Sequence, residues 1–75
     1  MSDLERISAR VFGLPESQVD DDTSNQTIPN WDSMGHMTLV MELESAYGVS
    51  LSIDEVLMMT DVASIRRILC RHGVH

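Results

Sequence analysis

Seventy-five residues and 8.4 kDa allow one small domain, residues 1–75, and not two. Hydrophobic residues are 43% of the chain and charged residues 23%, a globular rather than a disordered composition. Five Arg and no Lys stand against twelve Asp and Glu, leaving a net charge of −7 that disfavours nucleic acid and anionic lipid and suits basic protein surfaces.

The single cysteine, Cys70, cannot form an internal disulfide, which fits a reducing cytoplasm. Met1-Ser2-Asp3-Leu4-Glu5 lacks the basic and apolar regions of a secretory signal, and no apolar run approaches the length needed to span a bilayer. The expectation is a complete, soluble, cytoplasmic monomer. A core this small walls off no deep cleft, so the composition points to a protein that enzymes act upon rather than to an enzyme.

The chain begins with a helical period from Asp3 to about Gly13, on Leu4, Ile7 and Val11 with Phe12 widening the stripe. Ser2 and Glu5 form a capping box, and Gly13 followed by Leu14-Pro15 ends the helix. From Leu14 to Asp32 no period survives, and turn chemistry dominates. Leu14, Val19, Ile28 and Trp31 are spaced as anchors across this long loop, with a short helical turn expected near Pro15–Val19.

The second helix is expected from about Ser33 to Tyr47, with Met34, Met37, Val40, Met41, Leu43 and Tyr47 as a broad apolar face and Gly48 as its left-handed stop. Ser52-Ile53-Asp54-Glu55 is another capping box, opening a short third helix into Val56-Leu57-Met58-Met59. The fourth helix begins near Thr60-Asp61 and carries Val62, Ile65, Ile68 and Leu69. No segment alternates with period two for long enough to be a strand. The fold class is therefore all-α: three longer helices and one short one, with a long loop between the first two.

Three constellations bear on chemistry. Asp20-Asp21-Asp22-Thr23-Ser24 opens like a calcium loop, but Asn25 and Trp31 stand where Gly and a bidentate Glu are required, so a solvated acidic turn is expected. Cys70, His72 and His75 lie close together, yet they are too few for a structural zinc site and match no common spacing, so no metal is expected. Trp31-Asp32-Ser33-Met34-Gly35 partly matches a hydrolase nucleophile elbow, although no strand precedes it and His36 shares the helix of Ser33. Ser33 or Asp32 is otherwise the N-cap of the second helix.

Trp31-Asp32-Ser33-Met34-Gly35-His36-Met37, followed by Leu39, Val40, Leu43, Glu44 and Tyr47-Gly48-Val49, resembles an acyl carrier protein. The resemblance extends over almost the whole chain, through Ile28-Pro29, the Asp54-Glu55 start of the third helix and Thr60-Asp61-Val62. It implies an acyl-carrier bundle with 4′-phosphopantetheine attached to Ser33 by a phosphopantetheinyl transferase. The arm would carry acyl thioesters from a loading enzyme to ketosynthase or acyltransferase-type partners, so the protein itself would be no catalyst.

Gly35 and Thr38 stand where bacterial fatty-acid carriers usually have acidic residues, which makes the chain more similar to discrete carriers of polyketide or related specialised pathways. Asp-Ser-Met-Gly is also similar to D-alanyl carriers, the alternative within the class. Asp32, Met34, Met37, Glu44, Asp54 and Glu55 are the expected partner-recognition residues. Met37, Met41, Met58 and Met59 are expected mainly to fill the core. His36 is expected as an exposed helix residue, and Trp31 as a pin holding the loop to the bundle. A small helical interaction module without a prosthetic group is the rival from another class.

Overall fold

Among the described residues, four α-helices and one 3-10 turn supply the regular structure: α1 (Asp3–Phe12), the turn Glu16–Gln18, α2 (Ser33–Tyr47), α3 (Ile53–Met58) and α4 (Val62–Arg71). The computed structural model describes residues 3–74, so Ser2 of the first capping box and His75 lie outside the described residues. Among the described residues there is no strand, only an isolated bridge between Ser24 and Asp61. The architecture is an all-helical bundle, as the periodicity requires.

Four helix ends among the described residues have a clear local cause. After α1, Gly13 takes the left-handed conformation at φ 69° and Leu14 N donates back to Ala9 O at 2.9 Å, closing the helix. Gly48 does the same for α2, at φ 65°, with its N–H on Glu44 O. The Ser52–Glu55 capping box is formed in both directions, at 3.1 Å each way. Asp61 caps α4 by accepting from Ser64 N at 2.7 Å.

The core is built from one stripe of each long helix. Leu4, Ile7 and Phe12 of α1, Leu39, Val40 and Leu43 of α2, and Val62, Ile65, Ile68 and Leu69 of α4 are all buried, with Val19, Trp31 and Met59 closing the gaps. The methionine expectation needs correcting: Met59 is fully buried, but Met37, Met41 and Met58 are 52%, 61% and 58% exposed. Met34, Met37 and Met41 have the i, i+3, i+7 spacing of a core stripe, yet α2 carries a second apolar stripe on Leu39, Val40 and Leu43 that takes the interior.

The long loop is held by backbone bonds rather than by a period. Val62 N donates to Thr23 O at 2.9 Å and Asn25 N to Thr60 O at 3.0 Å, stitching the loop to the start of α4. Asp20 closes the acidic turn by accepting from Asp22 N at 3.0 Å. Arg66 of α4 pairs with Glu5 of α1 and with Asp21 of the loop, joining three elements at the surface.

One polar atom opposes the packing. The Ser8 hydroxyl is buried and, among the described residues, has no hydrogen-bond partner. Leaving a hydroxyl unsatisfied costs about 1–3 kcal/mol in proteins, so Ser8→Ala should raise the denaturation midpoint. An unchanged or lowered midpoint would mean that the hydroxyl is satisfied in solution.

Two caps impose an acid limit. Glu55 is held below the usual carboxylate range first by the Ser52 backbone N–H and then by His72, and Asp61 is lowered by the Ser64 hydroxyl and N–H. Both folded values lie below the unfolded ones. Their contribution is therefore complete above about pH 5 and is lost as pH falls through the lowered values. The doubly neutral variant Glu55→Gln/Asp61→Asn should lose part of the drop in melting temperature that wild type shows on acidification below about pH 5. Equal acid sensitivity in both proteins would remove these caps as its cause.

Candidate functional site

The residues singled out around position 33 converge where the long loop delivers the chain into α2. Asn30 sets the approach. Its side-chain Nδ2 donates to Phe12 O at the end of α1, at 3.1 Å. Its own carbonyl oxygen lies only 2.1 Å from where a Cβ at position 35 would stand. Gly35 is thus the residue that lets the loop backbone lie against the first turn of α2.

Asp32 then caps the helix. Its Oδ1 accepts from Gly35 N at 2.9 Å, and its carbonyl accepts from His36 N at 2.8 Å. Of the two candidate caps, the aspartate performs the task. Ser33, the first helical residue, is exposed, and its hydroxyl enters no side-chain hydrogen bond among the described residues.

Trp31 is buried to 5% exposure and stacks on Phe12 with ring centroids 4.9 Å apart and an interplanar angle of 24°. The expected pin is present. His36, expected as an exposed helix residue, is instead half-buried and engaged on both sides of its ring. Trp31 Nε1–H donates to His36 Nδ1 at 2.9 Å, and His36 Nε2 lies 2.7 Å from Val56 O on α3. An indole nitrogen only donates and a carbonyl only accepts, so the ring is the neutral tautomer with its proton on Nε2. The spacing that put His36 on the surface beside Ser33 carried no information about α3.

Beside Ser33 opens a cleft of about 330 Å³, lined by Asn25, Trp31, Asp32, Ser33, His36, Val56, Leu57, Met59 and Thr60. Its walls come from the loop, from the first turn of α2 and from α3 with the residues after it. Only Asp32 and Ser33 of this set were legible as site residues from sequence. The polar ends at Asn25 and Thr60 are brought in by the backbone bond that joins them.

The expected partner-recognition residues divide. Met34 is 81% exposed and Met37 is exposed beside it on α2, while Asp54 is exposed on α3 with Ile53 and Leu57 as apolar neighbours. Glu44 and Glu55 have structural duties: Glu44 accepts from Leu51 N at 2.9 Å, and Glu55 closes the α3 cap and meets His72 Nε2 at 3.0 Å. Glu42 pairs with Arg10 of α1 at 3.0 Å. Cys70 is exposed, His72 is turned toward Glu55, and no group of three metal-binding side chains occurs among the described residues.

His36 is not paired with the Ser33 hydroxyl, since its ring nitrogens bond to Trp31 and Val56. No helix among the described residues is long and apolar enough to cross a membrane. No protein-family model matches the chain, and no curated protein matches it.

Gly35→Ala decides how firmly the loop is seated. Alanine is the better helix former by about 1 kcal/mol, whereas overpacking against a backbone carbonyl costs about 1–3 kcal/mol. Asn30 carries that carbonyl and is itself tied to Phe12, so the clash should prevail. Urea unfolding should show net destabilisation, with altered Trp31 fluorescence in the folded protein. A more stable variant with unchanged fluorescence would show that the loop yields freely.

Proposed function

We propose that this protein is an acyl carrier, modified on Ser33 with 4′-phosphopantetheine. The observation that supports it best is the division of labour at the start of α2: Asp32 caps the helix, leaving the Ser33 hydroxyl exposed and uncommitted. A serine needed only as a cap would be engaged with the helix backbone.

The chemistry asks little of the chain itself. A transferase would bring coenzyme A, and the Ser33 oxygen would attack the pyrophosphate phosphorus. The hydroxyl proton would pass to the transferase, and the nucleotide half of coenzyme A would leave. The helix α2 N-terminus offers a favourable field for the new phosphodiester. The arm, once bound, supplies a thiol that carries acyl groups as thioesters. Asp32 holds the helix turn that presents Ser33, Trp31 and Asn30 fix the approach of the loop, and the adjoining cleft has a mixed polar and apolar lining suited to an amide-containing arm.

The acyl-carrier arrangement of the bundle belongs to the same reading, as do its partners: a phosphopantetheinyl transferase, an acyl-loading enzyme and ketosynthase or acyltransferase-type enzymes. Met34 and Met37 on α2 and Leu57 of the cleft wall offer those enzymes exposed apolar side chains, with Ile53 and Asp54 exposed at the start of α3. With Glu44 and Glu55 engaged in intramolecular hydrogen bonds, this contact surface is more apolar than the count of acidic residues suggests. That composition, and the place of Gly35 and Thr38 on α2, favours a specialised pathway of polyketide type, acting in the cytoplasm.

The test is intact mass after incubation with coenzyme A and a broad-specificity transferase. Wild type should gain one phosphopantetheinyl group, and Ser33→Ala should gain none while keeping its stability within about 0.5 kcal/mol, as expected of an exposed residue outside the cap. Asp32→Ala should behave in the opposite way, losing about 1 kcal/mol of stability with the cap. No mass gain by wild type under an active transferase, or modification of the Ser33→Ala protein elsewhere, would overturn the carrier reading.

A further inference from the structure

We infer that His36 is the positioning residue of the Ser33 cleft and a proton-sensitive latch on the segment that precedes Ser33. The imidazole spans three parts of the molecule. It stands on α2 one helical turn after Ser33, receives the Trp31 indole N–H at 2.9 Å from the loop, and reaches Val56 O of α3 at 2.7 Å. It also lies nearly parallel to the indole, with ring centroids 6.3 Å apart and 21° between planes.

Both bonds are available only to the neutral ring. Nδ1 must present its lone pair to the indole, and Nε2 must carry the proton for the carbonyl. A second proton can enter only at Nδ1, where it faces the Trp31 N–H. Two donors cannot share that contact. The Val56 bond survives protonation and becomes charge-assisted, so the bond that breaks is the one to the loop.

The consequence is directional. α2 and α3 stay joined through His36 and Val56, while Trp31, buried to 5% exposure, loses the only hydrogen bond of its indole nitrogen among the described residues. Trp31 leads directly into Asp32 and Ser33, so the wall that loosens is the one carrying the cap and the exposed hydroxyl.

The ionisable groups around the ring do not supply another explanation for such a change. Asp32 is the other carboxylate or imidazole among the cleft residues, and its Oδ1 is committed to Gly35 N. On α3, Glu55 is held by Ser52 and His72, and Asp54 is exposed without a side-chain bond. Asp61, ahead of α4, is committed to Ser64. From α1 the site receives Phe12, which meets Trp31 and carries no charge.

Only the effect on presentation of Ser33 rests on the carrier reading; the latch itself is a property of the unmodified chain. The test therefore uses unmodified, full-length protein without transferase, so its failure and a failure to gain mass are separate results. Nitrogen NMR of the His36 ring should show Nε2 protonated and Nδ1 free at about pH 8, and acidification short of unfolding should place a second proton on Nδ1. The Trp31 indole N–H signal should shift with the ring, and its hydrogen-exchange protection should fall by about tenfold as the contact opens.

His36→Gln supplies an acceptor and a donor but does not titrate, so the coupled Trp31 response should vanish in that variant. An Nδ1-protonated ring at about pH 8 would overturn the latch. So would a ring that charges with Trp31 unmoved, a ring that stays neutral until the protein unfolds, or a Trp31 response that persists in His36→Gln. Should that variant fail to fold, the first three of these outcomes are still read from wild type alone.

Discussion

Burial of one indole holds the long loop to the start of α2. Trp31 lies against Phe12 on one side and donates to His36 on the other, and it occupies the last position of the loop before the cap of α2. An aromatic pair of this kind contributes about 0.5–1.5 kcal/mol beyond the area it buries, and a paired indole N–H avoids the penalty of burying a donor alone. A loop of this length has an appreciable closure entropy. Trp31 opposes that entropy at the point where the loop enters α2.

The helices were readable from sequence because their signals are local. Ser52 and Glu55 meet across one turn, Gly48 lies at the end of α2, and Asp61 precedes the stripe of α4. The short turn at Glu16–Gln18 also fell where Pro15 suggested it. What the sequence could not assign was the facing of α2. Its apolar residues make two stripes, one on Met34, Met37 and Met41 and the other on Leu39, Val40 and Leu43, and helical spacing alone does not say which is inside. The branched aliphatic stripe is buried and the methionine stripe is exposed.

At the candidate site the same limit applies in another form. Asp32 and Ser33 are adjacent and announce themselves as the start of a helix. His36 acquires its bonds from Trp31, which comes from the loop, and from Val56, which lies twenty residues further on. Glu44 looked like surface charge because carboxylates are usually found there, but it accepts the Leu51 backbone N–H, and Glu55, legible as a cap, also meets His72. A residue can be recognised from sequence when its partner lies within a turn. Tertiary partners have to be seen.

The approach of the Asn30 carbonyl to Gly35 also bears on how such a protein can be recombined. The loop ending and the opening turn of α2 fit one another through an absent side chain, with Asn30 fastened in turn to the end of α1. A second helix transplanted from a chain with any larger residue at position 35 would meet that carbonyl before it could settle. Residues 30–36 are therefore inherited as one cassette, and a chimera joined at the edge of α2 divides the molecule at its least separable seam.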